Sequence, residues 1–208
     1  NKDLILISRD QQAVVPANST VLTPKTAVIY PSTEVELSLT VAPVVVERSM
    51  YYAYQRGVDY FQVGEFIPNS YTDGQYYNQG LTDHIPLYAT GVCQHMAVSS
   101  TNKIVACTSG GKEVLINQFM WSGDERLQMA FHKWVYPQDV LYIDFSQEYM
   151  IIVMDNGNGG FDVCTQNIQI NMLSTKPAPY LDKYSYLAFG TGDTATLPTH
   201  LTGVPELV

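Results

Sequence analysis

Two stretches, VCQHMAVSSTNKIVACTSGGKEVLINQF (92–119) and VLYIDFSQEYMIIVMDNGNGGFDVCTQ (140–166), carry the same pattern of short apolar runs separated by turn residues. The runs are 92–98, 103–108 and 114–119 in the first stretch and 140–145, 149–154 and 161–166 in the second, with an aromatic run at 129–136 between them. Run starts pair off as 92 with 140, 103 with 149 and 114 with 161, giving offsets of 48, 46 and 47 residues. Propeller blades repeat at roughly 40 to 50 residues, so the spacing predicts two successive β-propeller-like blades of short antiparallel strands.

The composition of the runs agrees. Ile104-Val105-Ala106 and Ile151-Ile152-Val153 are apolar on consecutive residues, as strands covered on both faces are. Leu141, Ile143 and Phe145 alternate with Tyr142, Asp144 and Ser146, which predicts one packed face and one more polar face. The loops Ser109-Gly110-Gly111-Lys112 and Asn156-Gly157-Asn158-Gly159-Gly160 contain the residues that tight hairpins require.

Working outward, 44–46, 50–54 and 58–63 read as a third blade, and 4–7 with 13–15 as part of a fourth. A Tyr-rich stretch near 66–82 reads as an insertion at a blade junction, so 1–175 is expected to hold the blades. Residues 176–208 read as a Pro/Thr-rich linker and the start of a further strand region. At 122–134, Ser122 and Glu125 fit a helix capping box, but the alternation of Met129, Phe131 and Lys133 favours an outer blade strand. Without an initiator Met, the chain reads as an incomplete fragment of a larger protein.

Composition supports an all-β chain with a sizeable core: 46% of residues are hydrophobic, 15% are charged, and Tyr occurs 15 times, a profile that suits strands. No apolar run approaches the roughly 20 residues of a membrane helix, so no membrane span is expected. The net charge of -9 has the wrong sign for tight phosphate binding; it would suit a surface past which DNA slides, although an acidic surface is more often a simple solubility device. Three scattered cysteines, Cys93, Cys107 and Cys164, form no Cys-x-x-Cys and read as buried free thiols.

No catalytic, cofactor-binding or metal motif stands out. Asp155-Asn156-Gly157 resembles a calcium loop but lacks the third-position ligand, so a Gly-rich hairpin is expected. Asp59, Glu65, Asp73, Asp83, Asp124, Glu125 and Asp144 are carboxylates from which a glycan-hydrolysing pair would have to come, and spacing selects none. Tyr71, Tyr76 and Tyr77 lie among Gly, Asn and Gln; they could contact a protein partner, stack on a glycan, or lie over their own domain.

The order Asp3-Leu4-Ile5-Leu6-Ile7-Ser8, Val41-Ala42-Pro43-Val44-Val45-Val46, Tyr51-Tyr52-Ala53-Tyr54, Asp83-His84-Ile85-Pro86, Asp124-Glu125-Arg126-Leu127-Gln128-Met129-Ala130-Phe131-His132-Lys133-Trp134 and Tyr180-Leu181-Asp182 resembles the tail tubular protein B, or tail nozzle, family of short-tailed bacteriophages. The resemblance spans roughly residues 3 to 182; residues 200–208 depart from it. It implies a non-enzymatic virion tail component in a homo-oligomeric ring, a hexamer in that family, adjoining the tail adaptor protein and tail fibres. It further implies a propeller architecture with inserted domains and a channel that conducts DNA at ejection during host cell entry. A propeller domain that binds or hydrolyses bacterial surface polysaccharide is the alternative.

Overall fold

The two repeated stretches fold as two antiparallel meanders, and two more precede them. The computed structural model describes residues 3–16, 23–24, 27–38, 40–68, 75–123 and 125–168, which fall within one compact unit, Asn1–Gln169. The expected linker at 176–208 and Tyr71 lie outside the described residues. Among the described residues there are fourteen strands and no helix.

The first sheet has three strands, β1 (Leu4–Ile7), β2 (Gln12–Val15) and β3 (Tyr30–Thr33). The second has four, β4 (Val44–Val46), β5 (Ser49–Arg56), β6 (Tyr60–Pro68) and β7 (Tyr76–Gly80). The third also has four, β8 (His95–Ser99), β9 (Ile104–Thr108), β10 (Glu113–Ser122) and β11 (Glu125–Val135). The fourth has three, β12 (Val140–Ser146), β13 (Tyr149–Asp155) and β14 (Phe161–Asn167). Equivalent strands of the last two sheets start 45, 45 and 48 residues apart, at 95 and 140, 104 and 149, and 113 and 161.

Two stretches that were open in the sequence take definite form. The stretch near 66–82 supplies the end of β6 and all of β7, because Tyr76 faces inward and Asn78 accepts the Tyr52 hydroxyl hydrogen bond. The helical alternative at 122–134 gives way to β11, whose register against β10 runs from Glu113↔Val135 to Ser122↔Glu125 with a shift at Met120/Trp121.

Strand alternation divides the apolar residues between interlayer cores. Met50, Tyr52 and Phe66 pack toward Val14 and Leu37 between the first and second sheets. Tyr51, Val63, Val105, Leu115 and Phe119 fill the space between the second and third sheets. Ala106, Val114, Ile116, Ile143, Met150 and Ile152 fill the space between the third and fourth. Each large side chain so covered contributes about 1.5–3 kcal/mol through loss of apolar surface from water.

The first strands of the second, third and fourth sheets lie beside one another, β4 beside β8 and β8 beside β12. Polar bonds join them: His95 Nε2 lies 2.8 Å from the Ile143 carbonyl oxygen, and Thr108 Oγ1 donates to Val140 O at 2.9 Å. The His95 ring also stacks on Tyr142, with 4.2 Å between centroids.

Candidate interaction surfaces

The hairpins that join first to second strand form a linked series along one end of the sheets. Lys103, in the β8–β9 turn, pairs with Glu47 in the β4–β5 turn. Its neighbour Asn102 donates through Nδ2 to Gln147 O, in the β12–β13 turn, at 2.8 Å. Glu47, Lys103 and Gln147 all take the left-handed conformation, with φ of 54°, 56° and 52°. One backbone geometry therefore recurs at the same corner of three sheets, although no glycine marks it in the sequence.

A charged clamp closes the second sheet onto the third. Glu65, on β6, is fully buried, and its carboxylate accepts a hydrogen bond from Arg126 Nη2 on β11, whose side chain is only 15% exposed. The Arg126 guanidinium lies 4.5 Å from the centre of the Trp121 ring, and Arg48 approaches the same ring at 5.9 Å. Tyr51 stands opposite Glu65 in the strand register. Burial, reinforced by the Glu65 charge, pushes the Tyr51 hydroxyl pKa up. A buried carboxylate with no cation would be strongly destabilising, so Arg126 fixes where the β10–β11 hairpin lies over the second sheet.

Two other carboxylates singled out in the sequence, Asp83 and Asp144, are engaged in local structure. Asp83 Oδ1 accepts the Tyr54 hydroxyl at 2.6 Å, and Asp144 Oδ1 accepts the Phe145 amide at 2.8 Å. Asp73 and Asp124 are outside the described residues. The Gly-rich hairpin closes on itself: Asp155 Oδ1 accepts the Gly157 amide, and Asn156 Oδ1 accepts those of Asn158 and Gly160. No group of three metal-ligating side chains occurs among the described residues, and no helix there is long and apolar enough to cross a membrane.

Tyr76 and Tyr77 point to opposite faces of β7. Tyr76 is buried and stacks on Phe66 at 5.7 Å. It donates to Asp3 Oδ2 at 3.0 Å, and burial with the Asp3 contact raises its pKa to about 12. Tyr77, on the opposite face of β7, is 49% exposed. Adjacent strand residues point to opposite faces, so the two do not form one platform.

Two further exposed places carry apolar side chains. A cleft of about 500 Å³ beside the β5–β6 hairpin is lined by Leu37, Gln55, Val58 and Val92, with the Arg9–Glu36 ion pair (3.3 Å) on its wall. The fourth sheet exposes Tyr149, Phe161 and Val163 on the face turned away from the third sheet, alongside half-buried Ile151 and Val153. The expectation of three buried thiols holds for Cys93 and Cys107, but Cys164 is exposed, because no described strand covers β14. The Cys107 thiol is held well above its ordinary pKa by its hydrogen bond with Cys93 and by burial.

Sequence reasoning missed the Glu65–Arg126 clamp, whose partners are 61 residues apart. The available signal was a carboxylate inside an apolar run, Val63-Gly64-Glu65-Phe66-Ile67, because such a group must find a cation when the strand is covered.

No curated protein matches the chain. A family model described as bacteriophage nozzle protein matches residues 1–191. The chain belongs to the bacteriophage nozzle protein family and is a component of the virion tail.

Proposed function

We propose that this chain is a non-enzymatic structural segment of the tail nozzle, that its four sheets are consecutive β-propeller blades, and that it works through its surfaces. The observation that carries this reading is the linked series of first hairpins, Glu47 to Lys103 and Asn102 to Gln147, together with the neighbouring first strands β4, β8 and β12. Repeating one packing step from sheet to sheet, with first strands together, is how blades are arranged about an axis.

In this reading, copies of the protein assemble into a ring, a hexamer by family resemblance, that forms part of the channel for DNA ejection. Heterologous contacts that close on themselves generate such rings. The net charge of -9 keeps DNA from adhering as it passes, because binding to phosphates is driven by cationic side chains. The exposed Tyr77 and the cleft beside Val58 are contact surfaces for neighbouring subunits, the tail adaptor or the fibres. The buried and paired state of Glu65 weighs against the polysaccharide-hydrolysing alternative.

Native mass spectrometry of the protein released from purified tails, combined with an antibody raised against 140–166, tests the assignment. A closed oligomer and antibody density at the tail tip are expected. A monomer, or antibody bound elsewhere on the virion, would overturn it.

A further inference from the structure

We infer that the interlayer between the second and third sheets binds ordered internal water, held by Tyr51 and Glu65 on the second sheet and by Asn117 on the third. Strand alternation turns Ser49, Tyr51 and Glu65 toward the third sheet, since their chain neighbours Met50 and Phe66 pack toward the first. Asn117 lies between Leu115 and Phe119, which share a core with Tyr51, so its side chain faces back across the same interlayer. Phe119 joins the two sides, with its ring centre 5.7 Å from that of Tyr51.

Buried polar side chains elsewhere find their partners within the fold. Gln12 bonds Val35 and Thr33, Gln62 bonds Pro86 and Thr82, and Thr108 bonds the Val140 carbonyl. The second–third interlayer differs. Ser49 Oγ, Tyr51 Oη, Glu65 Oε1 and both amide atoms of Asn117 are buried and make no hydrogen bond to the protein. Each such group left dry forfeits its full desolvation cost, and native interiors rarely carry so many together.

The mixture of groups selects the ligand. Glu65 Oε1 and Asn117 Oδ1 accept, Asn117 Nδ2 donates, and the hydroxyls of Ser49 and Tyr51 do either. A metal cation would serve only the acceptors and would lie beside the Arg126 guanidinium that already pairs with Glu65. An anion would serve the donors and meet the Glu65 carboxylate. Water donates and accepts, and a buried water commonly makes about three hydrogen bonds. Tyr51 and Glu65 stand opposite each other in register. Burial, followed by the Glu65 charge, raises the Tyr51 hydroxyl pKa, yet Tyr51 Oη and Glu65 Oε1 do not meet at hydrogen-bond geometry. A water between them satisfies both.

Rotating-frame Overhauser spectra of the unmodified 208-residue chain test the site without any substitution. Peaks from water to the Asn117 side-chain amide protons are expected. The Gln12 amide is equally buried but bonded to Val35 O at 2.8 Å, and it should show none. Magnetic relaxation dispersion of water oxygen then counts the waters that outlast molecular tumbling. Asn117→Leu, which removes a donor and an acceptor at nearly constant shape, should lower that count by about one. Tyr51→Phe removes a single partner and should shorten the residence of the same water about tenfold.

Absence of the Asn117 peaks, equal peaks at Gln12, or an unchanged count in folded Asn117→Leu would each overturn the inference. Movement of the Asn117 amide signals on exchange of choline chloride for sodium or potassium chloride would also overturn it, because the ligand would then be a cation.

Discussion

Strands β9 and β13 read alike in sequence, each the apolar middle strand of a meander, yet they are buried differently. All five residues of β9 are buried, since the second sheet covers one face and the fourth covers the other. In β13, Met150, Ile152 and Met154 are buried against the third sheet, while Ile151 and Val153 on the other face are half-buried. Apolar character on both faces states what a strand can tolerate; neighbours decide what it gets. The half-covered strand marks a surface suited to further contact.

The sharpest break in this comparison comes from placing a charge at matched positions. Val105→Asp, at a fully buried site of β9, is expected to cost about 4 kcal/mol or more through an unpaired buried carboxylate. Val163→Asp, on the open face, should change stability by no more than about 0.5 kcal/mol. Urea unfolding of the two variants measures the contrast, and equal losses would mean that the fourth sheet is covered after all.

The clamp gives the next largest effect. Glu65→Gln leaves Arg126 desolvated and should cost about 3 kcal/mol, whereas changing both residues to Met should recover most of that loss. A double change as damaging as the single one would show that the pair contributes more than registration between the second and third sheets.

Between the first and second sheets, close packing takes the place of charge. A Cβ on Gly64 would come within 2.3 Å of Tyr52 Cζ, the residue opposite it in register. Gly64→Ala is therefore expected to cost about 2 kcal/mol through overpacking, and the cost should largely vanish in a Tyr52→Ala background. Thermal unfolding of the four-member cycle checks this.

Tyr76 supplies the smallest effect and the pH dependence. Its pKa is raised from 10.0 to about 12, so the neutral form is the one the fold favours. The resulting stability is complete below pH 10 and lost as pH rises from 10 toward 12. Tyr76→Phe should cost about 1 kcal/mol at neutral pH from the lost Asp3 hydrogen bond and should flatten the alkaline decline. Tyr77→Phe, on the exposed face, should leave both unchanged.

The strand repeat was legible in the sequence because apolar runs and turn residues act locally. The first strands, the meander hairpins and β11 followed from period-two alternation and from Gly-, Ser- and Asn-rich loops. Three features were not legible, each fixed by distant neighbours. β7 lies in a polar Tyr-rich stretch that resembles a loop until Tyr76 and Asn78 meet Phe66 and Tyr52 across the strands of the second sheet. Glu65 looks like a surface carboxylate until Arg126 arrives from β11 in the third sheet. Cys164 sits in an alternating run like the other cysteines, and its place on β14, at the edge of the fourth sheet among the described strands, is what exposes it. Tyr76 and Tyr77 divide for the simpler reason that neighbouring strand residues face opposite ways.

Electron cryomicroscopy of the intact tail, at a resolution that separates strands, tests the blade account most directly. The predicted map places β4, β8 and β12 innermost around one axis within the nozzle, with successive sheets packed face to face in chain order. A map in which these first strands do not share an axis, or in which the four sheets are dispersed among separate parts of the tail, would contradict it.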